Sequence, residues 1–168
     1  NEKIDHHFNE MSPVDFNIFQ GASLYEKLIN ERPKSKYRDY AVLCRAQVAV
    51  YTMDEKRIRG AIKQLTDWLE KNPKNRYAAV EWFLIADASR YPLKDYKLAL
   101  HALLQIYKNG VPACLSVDFF YWQVGNTAFE AKDMKTAVLF YNKILKLDRS
   151  KFNTIAKDML KKIKREGK

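Results

Sequence analysis

Glycine and proline are scarce, with five of each in 168 residues. A β-sandwich or barrel uses turn residues every eight to twelve positions, so this scarcity excludes such folds and points to long helices joined by short loops. Cysteine is nearly absent. Cys44, inside an apolar run, and Cys114, just after Pro112, are too few for a disulfide framework, and two buried or half-buried thiols are expected. No long apolar run occurs: the best stretches, residues 78–80 and 82–86 around Glu81, fall far short of the roughly twenty residues that span a bilayer. Histidine is limited to His6, His7 and His101, with no Cys or His partners at zinc-ligand spacing. No glycine-rich phosphate loop is present either. The acids Asp54 and Glu55 fall where a helix should begin, which suits capping rather than paired-carboxylate catalysis. The sequence therefore offers no catalytic, cofactor or metal residues, and a non-enzyme is expected.

What is present is globular in character. Hydrophobic residues at 47% and charged residues at 30% exclude a disordered chain. The length fits one domain over residues 13–168 behind an N-terminal segment of residues 1–12. Because the sequence begins at Asn1 without Met or a signal-like segment, we expect a trimmed chain, with any targeting or lipid-anchor segment upstream. Charge is concentrated at one end. Residues 1–131 carry 18 Lys and Arg against 16 Asp and Glu, whereas residues 132–168 carry 12 against 4. A basic terminal helix is thus the feature that needs a partner or a solvated face.

Small residues recur with a fixed period. Ala61, Ala99 and Ala137 are 38 apart, followed four residues on by Leu65, Leu103 and Tyr141, then by Trp68, Ile106 and Ile144. An earlier copy runs through Gly21, Tyr25 and Leu28, and Pro33, Pro73 and Pro112 follow these helices, with Arg149 in the last copy. Upstream of each lies another helix pattern, clearest as Trp82, Ile85, Ala86 and Ser89, and as Tyr121, Val124, Gly125 and Ala128. Small residues fall where two helices must touch. The Tyr-x-x-Val-Gly-x-x-Ala run from Tyr121, followed by Ala137, Tyr141 and Ile144, resembles the tetratricopeptide repeat over about residues 13–165. The period is 38 rather than about 34, and no register is evident for the upstream helix near residues 41–53.

Punctuation sets the element boundaries. Ser12-Pro13 with Asp15 predicts a helix from there to about residue 30, and further helices are predicted over 37–53, 56–71, 76–90, 94–109, 116–131, 134–147 and 152–165. The resemblance implies an all-α fold: an α-solenoid of about eight antiparallel helices in tetratricopeptide-like hairpins, each packed on its neighbours. The last helix is expected to be a basic cap. Phe152, Ile155, Met159 and Ile163 form its apolar stripe, with Lys157, Lys161, Lys162, Lys164 and Arg165 largely off it.

If Tyr121, Val124, Gly125 and Ala128 pack inward, Phe119, Trp122, Asn126 and Phe129 line the opposite face, toward a concave groove. One repeat earlier the same stripe is Val80, Phe83, Asp87 and Arg90. An apolar exposed stripe marks a binding site, here for a segment of another protein, unless residues 1–11, a further domain or a second subunit fills it. The carboxylate clamp of chaperone-binding tetratricopeptide proteins is missing, since only Asn126 fits it. Tyr25 to Tyr37, Asp67 to Asn75 and the final pair of helices also look like repeats of bacterial outer-membrane assembly lipoproteins and Tol-Pal-associated periplasmic proteins. That likeness implies a periplasmic or outer-membrane-anchored location, with a cytoplasmic one as the alternative. A competing function is nucleic-acid or anionic-surface binding through Lys157, Lys161, Lys162, Lys164 and Arg165.

Overall fold

The computed structural model describes residues 18–166, and every regular element among them is an α-helix. These are α1 (Ile18–Glu31), α2 (Arg38–Tyr51), α3 (Glu55–Lys71), α4 (Ala78–Arg90), α5 (Tyr96–Asn109), α6 (Val117–Glu130), α7 (Met134–Leu145) and α8 (Asn153–Glu166). Seven of the eight start and stop within two residues of the sequence-derived bounds. The helix start expected at Ser12-Pro13, the segment 1–12, His6 and His7 lie outside the described residues. Among the described residues no helix is long and apolar enough to cross a membrane. The chain divides into two compact units, one ending at Tyr77 and the other beginning at Ala78. In the first, α2 packs against α1 and α3; in the second, α4 packs on α5, α5 on α6, α6 on α7 and α7 on α8.

Two turn types alternate, and side-chain chemistry explains both. Before α3, α5 and α7 the chain places one residue in the left-handed region, Met53 (φ 53°), Lys94 (φ 52°) and Lys132 (φ 63°), and then an aspartate. The left-handed residue turns the chain into the aspartate, just past the preceding helix at Met53 and Lys132 and four residues past it at Lys94, and the carboxylate caps the next helix. Asp54 accepts from the Arg57 N–H at 2.7 Å, Asp95 from Leu98 at 3.1 Å and Asp133 from Thr136 at 3.0 Å. Before α2, α4 and α8 a short polar side chain instead accepts from the N–H two residues on. Ser35 takes that of Tyr37 at 3.2 Å, Asn75 that of Tyr77 at 2.8 Å and Ser150 that of Phe152 at 3.1 Å. Each of these turns ends on an aromatic ring at the mouth of a helix.

These turns fix the repeat register, and they move one copy of it. The N–H groups of Ile58, Ala99 and Ala137 donate to the carbonyls of Asp54, Asp95 and Asp133, so Ile58, not Ala61, is the counterpart of the two later alanines. Ala61 lies three residues on, almost one helical turn, and so on nearly the same face, which is why a pattern of small residues selects it. All four residues are buried. The helix near residues 41–53 gains a register too: Arg38 with Val117 and Asp54 with Asp133 are both 79 positions apart, so α2–α3 and α6–α7 align without a gap.

Packing of α6 on α7 depends on Gly125. A Cβ there would lie 2.9 Å from Tyr141 Cε1, and Tyr141 is fully buried. The Tyr141 hydroxyl donates to Asn126 Oδ1 at 2.7 Å, and burial, with the Glu130 charge as a smaller cause, pushes its pKa up, so it stays a donor. Cys44 is buried and Cys114 exposed, with neither in a disulfide.

Candidate functional site

The first residues of α4, α6 and α8 carry the site in the second unit. Val80, Phe119 and Ile155 each stand third in their helix, and each is exposed, at 49%, 38% and 45%. Tyr40 holds the same third place in α2, in the first unit, at 44%. Large apolar side chains are ordinarily the ones a helix turns inward, so a row of them at one register position makes a candidate surface.

Phe119 is held in place from both sides. Its own N–H donates to Asp118 Oδ1 at 2.8 Å, and Asp118 also accepts from the hydroxyls of Ser116 and, at 3.0 Å, Ser150. Those hydrogen bonds, the Ser116 hydroxyl foremost, hold the Asp118 carboxyl below its ordinary range. Its ring lies 5.7 Å from that of Trp122 and 6.1 Å from that of Phe152, so one face is packed and the other open.

The other residues of the expected groove stripe are engaged within the unit. Phe129 is only 7% exposed, with Lys162 Nζ 4.7 Å and Lys132 Nζ 5.7 Å from its ring centroid. Trp122 stacks on Phe152 at 5.2 Å and 21°, so the loop leading into α8 covers it. Phe83 meets Phe120 edge-to-face at 6.0 Å, and Asn126 turns to Tyr141. Arg90 ties α4 to α6: its guanidinium donates to Gln123, to Thr127 at 3.5 Å and to Asp87 at 2.9 Å, and it lies 4.5 Å above Tyr91. Asp87 itself is exposed. A pocket of about 370 Å³ remains among these groups, with Tyr91, Asn126, Glu130, Met159 and Lys162 at its wall.

On α8 the buried centre is Ala156, one residue beyond the expected stripe. That shift of about 100° around the helix turns Ile155 out and leaves Phe152 and Met159 against α6. Lys157, Lys161, Lys162, Lys164 and Arg165 are all exposed; Lys162 also reaches over the Phe129 ring, and Lys161 lies 3.5 Å from Asp158. Among the described residues no group of three His, Cys, Asp or Glu side chains is placed to hold a metal ion.

The sequence pointed to Phe119 and Val80, but it put Ile155 inside and Trp122 outside. The signal that would have found the row is the helix start itself: Asn75 and Ser150 each hold the turn five residues before the exposed third position, and Ser116 is the N-cap of the helix that carries Phe119. Compared with protein-family models, curated proteins and solved structures, the chain has no significant match.

Proposed function

We propose that the chain is a non-catalytic interaction module, built of tetratricopeptide-like hairpins, that binds a segment of another protein across α4, α6 and α8. Two-helix pairs joined by three- to five-residue turns favour antiparallel neighbours, and stacking such pairs is how a helical repeat buries its faces. The observation that carries the reading is the exposed row Val80, Phe119 and Ile155. Aromatic and aliphatic anchors beside a pocket dominate interface energies, whereas polar residues around them chiefly exclude water. Two helical turns along from the row stands one polar residue per helix, Asp87, Asn126 and Lys162, of which Asp87 and Lys162 are exposed and suit polar groups between the partner's apolar anchors. Placement in a bacterial envelope, periplasmic or outer-membrane-anchored, belongs to the same proposal and rests on the sequence likeness alone.

A photo-crosslinking amino acid at Phe119 tests this reading. In native extract it should label a discrete partner. The same group at Leu139, which is exposed on α7, should not. Equal labelling from both positions, or none from Phe119, contradicts the reading.

A second reading has its own observation: Lys157, Lys161, Lys164 and Arg165 are exposed on α8 and could meet nucleic acid or an anionic surface. No aromatic residue interleaves with them to stack bases, so sequence-independent charge contact is the form it would take.

A further inference from the structure

The first unit contains a pocket of about 330 Å³ between α1, α2 and α3. Val42, Ala46, Ala49, Gly60 and Ala61 line it, and Arg45 and Arg57 supply its cations. From this geometry we infer a binding site for a small aromatic acid, distinct from the row in the second unit and independent of the function proposed for it.

The gapless match of α2–α3 to α6–α7 shows what the repeat ordinarily places there. Val42 corresponds to Tyr121, Ala61 to Phe140 and Gln64 to Lys143. In the second unit Tyr121 and Phe140 meet at 5.7 Å, Tyr107 of α5 joins them at 6.2 and 5.0 Å, and Lys143 Nζ lies 5.2 and 5.7 Å from the rings of Tyr107 and Tyr121. That location is thus built for aromatic rings beneath a cation. In the first unit the two rings are replaced by Val42 and Ala61, both buried and both lining the pocket. Gly60, at the place of Leu139, extends the opening, because a Cβ there would meet nothing within 4 Å.

The replacement residues also select charge. Arg45, whose side chain is 21% exposed, stands where the second unit has Val124, and its guanidinium lies 3.0 Å from Glu26. A carboxylate on the ring would compete with Glu26 for that guanidinium, in the planar two-point manner arginine favours. A volume near the lower end of small-molecule sites, roughly 300–1,000 Å³, fits one ring or two fused rings and little more.

An amide-resolved NMR titration of the full chain with indole-3-acetate, beside neutral 3-methylindole, tests the inference. Saturable shifts should centre on Ala46, Ala49 and Ala61, with the acid bound about fivefold or more tightly than the neutral ring. Arg45→Gln should remove most of that preference while leaving 3-methylindole binding unchanged. Ala61→Phe, which restores the ring of the second unit, should weaken both probes by about tenfold or more. Should Ala61→Phe fail to fold, Gly60→Leu decides, since Gly60 lines the pocket, its Cβ would clash with nothing, and the added side chain should give the same loss. Absence of saturable shifts, equal affinity for acid and neutral ring, or shifts undiminished in folded Gly60→Leu each overturns the inference.

Discussion

Gly125 and Gly60 both sit inside helices, yet the same substitution should move stability in opposite directions. Glycine in a helix costs roughly 0.5–1 kcal/mol relative to alanine, so Gly60→Ala, whose new methyl meets nothing, should stabilise the protein by about that amount. Gly125→Ala puts a methyl 2.9 Å from a Tyr141 ring that is fully buried and hydrogen-bonded to Asn126. That ring has nowhere to go, so overpacking should outweigh the helix gain and destabilise by roughly 1–3 kcal/mol. Denaturant unfolding of the two single variants reads both signs. The thiols contrast in a similar way. Cys44 is buried, and burial pushes its pKa up, against smaller lowering by the Tyr40 and Tyr25 hydroxyls. Its thiolate is accordingly scarce, and a disulfide reagent at pH 8 should modify the exposed Cys114 promptly and Cys44 only as the protein opens. Two equally fast thiols would contradict the packing around Cys44.

At the scale of elements the aspartate turns carry the strongest predictions. Lys132 holds a left-handed backbone at a cost of roughly 1–2 kcal/mol, and glycine would relieve it at a chain-entropy cost of roughly 0.5–1. Lys132→Gly should therefore raise stability by up to about 1 kcal/mol. Asp133 works through acid chemistry. The Thr136 N–H first, then the Thr136 hydroxyl and the Lys135 charge, hold its carboxyl below the ordinary range. A depressed folded-state pKa contributes stability that is present above the unfolded value near 3.9 and is lost as pH falls through the folded value. Asp133→Ala should therefore cost about 0.5–2 kcal/mol at pH 7 and distinctly less at pH 2.5, measured by unfolding at each pH. These same turns explain what the sequence could convey. Pro33, Pro73, Asp54, Asp95 and Asp133 act locally, so helix limits were legible to within two residues. Register in the copy on α3 was not, because Ile58 and Ala61 lie nearly one turn apart on almost the same face. Trp122 and Phe129 looked open for a related reason: the groups that cover them, Phe152 and Lys162, are about 30 residues further along the chain. No local pattern carries that information.

Charge is a property of the whole chain and weighs on both proposed functions. Residues 78–168 carry 16 Lys and Arg against nine Asp and Glu, so any partner of the second unit meets a positive surface and is favoured if acidic. Charge reversal of Lys157, Lys161 and Lys164 should slow association with the partner and leave its dissociation nearly unchanged, because exposed rim charges act on encounter. If nucleic acid were instead the target, affinity would fall log-linearly with salt and the same reversal would abolish it.

The most direct measurement is calorimetric binding of the crosslinked partner's segment to the wild-type chain and to Val80→Ser/Ile155→Ser. Both side chains are nearly half exposed, so the double variant should unfold within roughly 0.5 kcal/mol of wild type. Its affinity for the segment should drop by about tenfold or more, since the row supplies the apolar anchors. Wild-type affinity in the folded double variant would contradict the interaction surface proposed on α4, α6 and α8.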